Sequence, residues 1–514
     1  MEAQTINAAS CSESAVSSAL SSIKTDGTVV VVPSGDCVWS TSLNYIQTNS
    51  FTLQGAGAIT PSGGSDSTII EDAVNHGGAD PPLLEVQTIP GKTFRLTGIA
   101  FKTNSGNTST PTYNGAVRVN GSSTSVRVDH NHFNQIYLVD LNFQGCANGV
   151  VDHNQFDAGF PEENQERFGG GSCNGDTSGD GNGSWAEASN FGSSQFMYVE
   201  NNSFQMVPTT STYDSVAFDC NAGGRIAFRY NTLGYHVALQ SHGTGGGVDN
   251  RGCRALEIYN NTATFSSNPT ADNFSMLVQL EAGSSLWWGN TMTGFITFIE
   301  ADVVRANNTT YAQAATPSGW GYCGTSFGPS NWDQNSSSNG HLCLDSVGAG
   351  QGDLLTGTFP NKVDSVTGTV TWPHQVSDPV YVWNNTYNAV PQESRDAFWS
   401  NYPTPAVVSE NKDYYLQLPN QGESVTFNGS AGIGQGTLAA RPSSCTPGVG
   451  YWATDQGSWN QSGSGGQGEL FVCTSTNTWT LHYTPYTYPH PLTGAGSAPV
   501  APAAPTAVKG VVVN

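Results

Sequence analysis

Charge is what this sequence has least of. Only 11% of its residues are Asp, Glu, Lys or Arg, against roughly 25% in an ordinary soluble domain. The basic residues are scarcest: 17 Lys and Arg face 40 Asp and Glu, a net charge of −23. Nucleic-acid binders need a basic face to neutralise phosphates, so that class is excluded. Scarce Ala/Glu/Lys/Leu/Arg also argues against a helical bundle or coiled coil. No run of about 18 apolar residues occurs, so no membrane-spanning helix is expected. No two cysteines have the C-x-x-C spacing of a zinc or redox site. Disorder is excluded in turn, because 37% hydrophobic and 10% aromatic residues can bury a large core.

What the chain has in quantity is Gly (60 of 514 residues), with Asn, Ser and Thr supplying most of the polar surface. This is the composition of a long β protein. Its ten cysteines fall into sequence neighbours: Cys11/Cys37, Cys146/Cys173, Cys220/Cys253, Cys323/Cys343 and Cys445/Cys473. Five local disulfides and an oxidising, extracellular bacterial setting are expected. The first residues, MEAQTINAASC, contain no apolar signal-peptide core. A mature secreted chain with an added Met fits both observations.

A short pattern recurs: alternating apolar residues, then Asn, then one residue and Thr, Ser or an apolar side chain. It appears as VRVDHNHF (126–133), GVVDHNQF (149–156), MYVENNSF (197–204), IAFRYNTL (226–233), LEIYNNTA (256–263), SLWWGNTM (285–292), VVRANNTT (303–310) and VYVWNNTY (380–387). Many steps lie near the length of one solenoid coil. Short strands cannot bury an apolar face alone, but stacked coils bury a continuous one. Period-2 alternation points Val128, Val151, Val199, Phe228, Ile258 and Val382 inward. The recurrent Asn (Asn131, Asn154, Asn202, Asn231, Asn261, Asn290, Asn385) sits at a turn. There it is expected to take the left-handed conformation and to ladder with the Asn of the next coil.

Over roughly residues 28–430 these repeats resemble right-handed parallel β-helix proteins of the pectate-lyase-like superfamily. The segments Asp129–Phe133 and Asp152–Phe156 resemble repeats of alginate-lyase-like, chondroitinase-B-like and pectate-lyase-like proteins. The fold class expected is therefore all-β, a right-handed parallel β-helix. Residues 1–45 form an N-terminal cap, with Val16, Ala19, Leu20 and Ile23 on one face of a helix. The β-helix occupies 46–435, with loop insertions at 157–195 and 311–360. A small aromatic-rich β unit fills 436–493, and 494–514 is a Pro/Ala-rich tail.

Aligning SVAFDC, HVALQS, LVQLEA and ITFIEA by their apolar positions places Asp219, Gln240, Glu281 and Glu300 outward in one column. Crowded carboxylates need a cation or a raised pKa, so Asp219, Glu281 and Glu300 are candidate Ca²⁺ ligands. Beside them lie Tyr235, His236, His242, Arg251 and Arg254, with Arg225 one coil earlier, in a chain with only 11 Arg. The resemblance implies β-elimination on uronic-acid sugars. A cation neutralises the substrate carboxylate, a base removes the C5 proton, and an acid protonates the leaving oxygen. These six residues carry the catalytic expectation. Gln240 and the loop tryptophans Trp185, Trp320 and Trp332 are expected to bind substrate. The alternative role for Arg251 and Arg254 is bracing, through Glu257 and Asp219. No Lys occurs between Lys102 and Lys362, which excludes a Lys base in the central coils, and the R-x-P-x-x-R segment of pectate lyases is absent.

The leading expectation is a monomeric, extracellular polysaccharide lyase. The rivals are a glycoside hydrolase using two of the three carboxylates, which the negative charge favours, and a non-catalytic glycan-binding β-helix with structural calcium.

Overall fold

The path of the chain follows from its alternation. Phe94–Thr97 lies in a first sheet, Ala100–Thr103 in a second, Val117–Gly121 in a third, and Val126–Asp129 returns to the first beside Phe94–Thr97. Repeating this circuit builds sheets of 12, 11 and 10 strands. Pairing is parallel throughout, except that Val390–Gln392 joins the second sheet antiparallel. This is a parallel β-helix. The computed structural model describes residues 4–107, 112–137, 139–160, 164–169, 181–207, 215–234, 237–243, 251–264, 276–294, 297–301, 345–351, 362–363, 370–371, 375–387, 390–392, 398–400, 408–419 and 425–494.

The inward residues stack as the repeat demands. Val128, Val151, Val199, Phe228 and Ile258 hold equivalent positions on successive strands, Val382 follows after Trp287, and all are buried. Each adds about 1.5–3 kcal/mol of burial. In the second sheet Phe101, Phe133, Phe156 and Phe204 form a near-parallel stack, with centroids 5.4, 4.9 and 4.7 Å apart.

The corner between the first and second sheets is two residues long, and its second residue is the repeating Asn. Asn231 shows the pattern. Its backbone N–H and its carboxamide both donate to the Asn261 Oδ1, at 2.9 and 3.2 Å, and the carboxamide also donates to the Val199 carbonyl at 2.9 Å. Its own Oδ1 accepts from Asn202. The same links run from Asn131 to Asn385. One detail differs from the sequence reading. The left-handed residue is the one before the Asn: His130, His153, Asn201, Tyr230, Asn260 and Asn384 have φ of 54°, 57°, 57°, 56°, 54° and 54°. A left-handed His or Tyr costs roughly 1–2 kcal/mol, and the buried ladder offsets it. Asn231→Ala therefore strands the buried Asn202 N–H, takes a donor from the Val199 carbonyl and lowers stability by about 2–4 kcal/mol. A shifted urea midpoint at unchanged m-value checks this.

The N-terminal end carries a helix and a disulfide. The helix Glu13–Ser21 buries Val16, Ala19 and Leu20, and Cys11–Cys37 ties it back. Thr5–Asn7 adds a further strand at the first sheet's edge. At the other end, Ile433–Gly436, Gly450–Ala453, Glu469–Ser475 and Thr478–Tyr483 form a small sheet. Its Trp452 and Trp459 pack on Tyr259, Trp288 and Trp383, the outer face of the first sheet. Buried Arg229 fastens the following segment, bonding Glu200, the Tyr259 hydroxyl and the Tyr486 and Thr487 carbonyls. The first sheet thus has no open outer face there.

On the second sheet, His132 is held between Asp66 and Asp157 at 2.9 and 3.1 Å. Burial alone would lower its pKa, but the two carboxylates outweigh it and hold the imidazole up at about 9. Because the folded pKa exceeds the unfolded value, the contribution is full below about pH 6.5 and fades as pH rises through 9. The gap in melting temperature between wild type and His132→Gln is expected to shrink over that window.

Three expected disulfides form: Cys11–Cys37, Cys220–Cys253 and Cys445–Cys473. Cys146 is disulfide-bonded too; Cys173, Cys323 and Cys343 lie outside the described residues.

Candidate functional site

The third sheet presents two outward rows of polar residues. Strand register places Glu85, Arg118, Asn142, Arg167, Asp219, Gln240, Gln279 and Glu300 side by side in the first row. This revises the expected column: Gln279, not Glu281, stands between Gln240 and Glu300. Glu281 belongs to the second row, where its N–H donates to the Ser241 carbonyl, one residue before His242. A shift of two residues preserves which side faces out, so alternation alone could not reveal it.

Asp219 follows an irregularity. Val216 pairs with Ala238 and Asp219 with Gln240, so one extra residue is inserted just before the carboxylate. Bulges re-aim side chains, and here Asp219 Oδ1 meets the His242 Nδ1 at 2.7 Å. The Asp219 carboxylate is 4% exposed and the His242 ring 38%. Because a carboxylate accepts, the Nδ1 donates, which in a neutral imidazole makes Nε2 the acceptor nitrogen. The His242 backbone is gripped on both sides: its N–H donates to the Cys220 carbonyl at 2.8 Å, and its carbonyl accepts from the Cys253 N–H at 2.9 Å. Cys220 and Cys253 are themselves a disulfide. Next to the ring, the Gly243 N–H donates to Glu281 Oε2 at 2.8 Å, and Gln240 donates to Gln279 at 3.4 Å.

The arginines are placed elsewhere. Arg251 is 1% exposed and its Nε meets Asp345 Oδ2 at 2.8 Å, while Nη1 donates to Asn182 at 3.0 Å. Arg254, fully buried, donates to Asp378 and to the Glu187 carbonyl. Trp185, also fully buried, lies between their two guanidiniums at 4.9 and 5.2 Å and donates to the Gly252 carbonyl. Arg225 bonds Ser184, Ala188 and Ser189, and burial lowers its pKa to about 9. These four side chains therefore form a brace that fastens residues 182–189, 345 and 378 to the coils. The bracing partners are Asp345 and Asp378, not Glu257 and Asp219. Glu257 instead accepts from the Gly192 N–H and the Tyr483 hydroxyl, and burial pushes its carboxyl up to about 7. Tyr235, His236, Trp320 and Trp332 lie outside the described residues.

The three carboxylates do not fit one calcium site. Asp219 and Glu300 are three rungs apart in their row, roughly 14 Å at ~4.8 Å per strand, whereas Ca²⁺ ligands lie within about 2.6 Å. Glu281 is in the other row. Among the described residues no three His, Cys, Asp or Glu side chains converge.

Sequence reasoning missed Gln279 and Arg167 in the first row. Arg167 lies in the strand Asn164–Gly169, inside the span read as an insertion. The signal was available: QERFG repeats the spacing of DLNFQ, setting Arg167 opposite Asn142 and Phe168 opposite Phe143.

No family model and no curated protein matches this chain. Among solved structures it is similar to an alginate lyase from Paenibacillus sp. str. FPU-7, at 14% identity. The match covers 56% of this chain and 95% of that one, with a TM-score of 0.28. So loose a superposition says nothing about the chemistry of either chain.

Proposed function

We propose that the protein is an extracellular polysaccharide lyase that cleaves a uronate-containing glycan by β-elimination on the outer face of the third sheet. The observation that carries this reading is the half-exposed His242 imidazole, oriented by the buried Asp219 carboxylate within rows of carboxamides. His242 Nε2 takes the C5 proton. The electron pair forms the C4–C5 double bond, the C4–O bond breaks, and the departing oxygen takes up a proton. Gln240 and Gln279, adjacent in the row beside Asp219, suit the substrate carboxylate as amide donors. Arg167, whose backbone pairs with Asp219, is the position to probe for a cation. No step is assigned to calcium. The three disulfides suit an oxidising compartment.

The test is incubation of the full chain with pectins, alginates and glycosaminoglycans, following both reducing ends and the ultraviolet absorbance of unsaturated uronate. Both signals rising together is the expected result. Reducing ends without that absorbance would mean hydrolysis. Neither signal, with retention on an affinity gel, would mean binding alone.

A further inference from the structure

At the corner where the third sheet passes back to the first, neighbouring coils turn tightly, from Gly145 to Gly149 and from Asn221 to Arg225. Between them, the strand that ends at Gly169 is followed in the first sheet by a strand that begins only at Met197. At this corner lies a cleft of about 240 Å³. That is at or below the small end of ligand pockets, so it suits one sugar ring better than an oligosaccharide. Phe143, Phe168 and Met197 supply apolar surface, and the polar groups include Ser122, Thr124, Asn148 and Glu187, beside Ser184 and Gln195, which hydrogen-bond Gly223 and Asn190. Among the described residues, the side chains of Ser122, Thr124, Asn148 and Glu187 have no hydrogen-bond partner, although Glu187 feels the charge of Arg225. Arg225 also borders the cleft, but four hydrogen bonds commit its guanidinium to Ser184, Ala188 and Ser189.

We propose that this cleft is a subsite for a neutral pyranose, recognised through adjacent hydroxyls donated to the Glu187 carboxylate and a sugar oxygen accepting from the Asn148 carboxamide. The chemistry selects charge. An unpaired carboxylate welcomes hydroxyl donors and repels a uronate, while the two nearby guanidiniums, Arg225 and Arg254, are committed to Ser184, Ala188, Ser189, Asp378 and the Glu187 carbonyl. The apolar surface suits the C–H face of a sugar ring.

The position deepens the lyase reading and rests on it for its biological meaning. Gly169 abuts Asn221 in the ladder, and His242 follows one coil later. The cleft therefore lies about two strand spacings, roughly 10 Å, from the imidazole. A glycan lying along the row would put a neutral unit or neutral branch here while a uronate sits at His242. The substrate class is then a mixed glycan, not a pure polyuronate.

Saturation-transfer NMR on the full wild-type chain, with methyl glycosides of glucose, galactose and mannose and with methyl glucuronide, tests this. At least one neutral glycoside is expected to bind, and the glucuronide at least about tenfold more weakly. Glu187→Gln is expected to weaken neutral binding about tenfold. Thr124→Trp, at an exposed rim position, is expected to abolish it with the melting temperature unchanged, and Asn148→Trp gives an independent block. Equal binding of the glucuronide, no neutral binding, or indifference to both tryptophan variants would overturn the subsite. Loss of the subsite with unsaturated products still formed sinks this inference alone. Neutral binding with no unsaturated product sinks the lyase reading alone.

Discussion

His242→Ala is expected to lower kcat on a uronate polymer by about 10²–10⁴-fold while shifting stability by no more than about 1 kcal/mol. The two halves have different causes. The ring is 38% exposed, so little packing is lost. The backbone bonds to Cys220 and Cys253 do not involve the side chain and survive. What disappears is the imidazole to which the proposed mechanism gives the C5 proton. Asp219→Asn keeps the volume but presents a donor to Nδ1, favouring the wrong tautomer, and should cost a comparable factor. Steady-state rates from unsaturated product, beside a thermal melt, check both. A variant that melts normally and retains full rate removes His242 from the chemistry.

Arg251→Ala is expected to do the opposite and destabilise the fold by about 3–5 kcal/mol. Its partner Asp345 has a fully buried side chain, and the loss leaves that carboxylate without its guanidinium. Asn182 loses a donor and Trp185 loses one of its two cationic neighbours. Urea unfolding of this variant should show a large fall in midpoint. Activity measured well below the transition should survive, because the guanidinium is 1% exposed and turned to Asp345. Unchanged stability with activity abolished would return Arg251 to the active site.

The contrast between these two residues shows how far the sequence could be read. Alternation is a local property, so VRVDHNHF alone predicts that Val128 points inward and that Asn131 marks a corner. The Asn ladder follows because equivalent corners must stack. Position along the coil is not local. LVQLEA offers Leu280 and Val278 equally well as the inward match to Leu239, and only the ladder picks Val278. Partners across long loops are further out of reach. Arg251 and Asp345 are 94 residues apart, and Arg254 and Asp378 are 124 apart. Charged and aromatic residues near one another in the sequence therefore read as one site, while in three dimensions Arg251 and Arg254 hold loops and His242 stands apart from them on Asp219. The C-terminal unit was visible as a change in composition. Its seat on the first sheet was not, because Tyr259, Trp288 and Trp383 look like ordinary strand aromatics until Trp452 and Trp459 meet them.

A crystal structure of the full-length His242→Ala chain soaked with an oligosaccharide that the wild type cleaves is the most direct measurement. Sugars should run along the third sheet, with one uronate carboxylate at Gln240 or Gln279 and its C5 facing the vacated imidazole position. Sugars seated only on the second sheet or on the C-terminal unit, with the rows at Asp219 and Glu281 bare, would contradict the account.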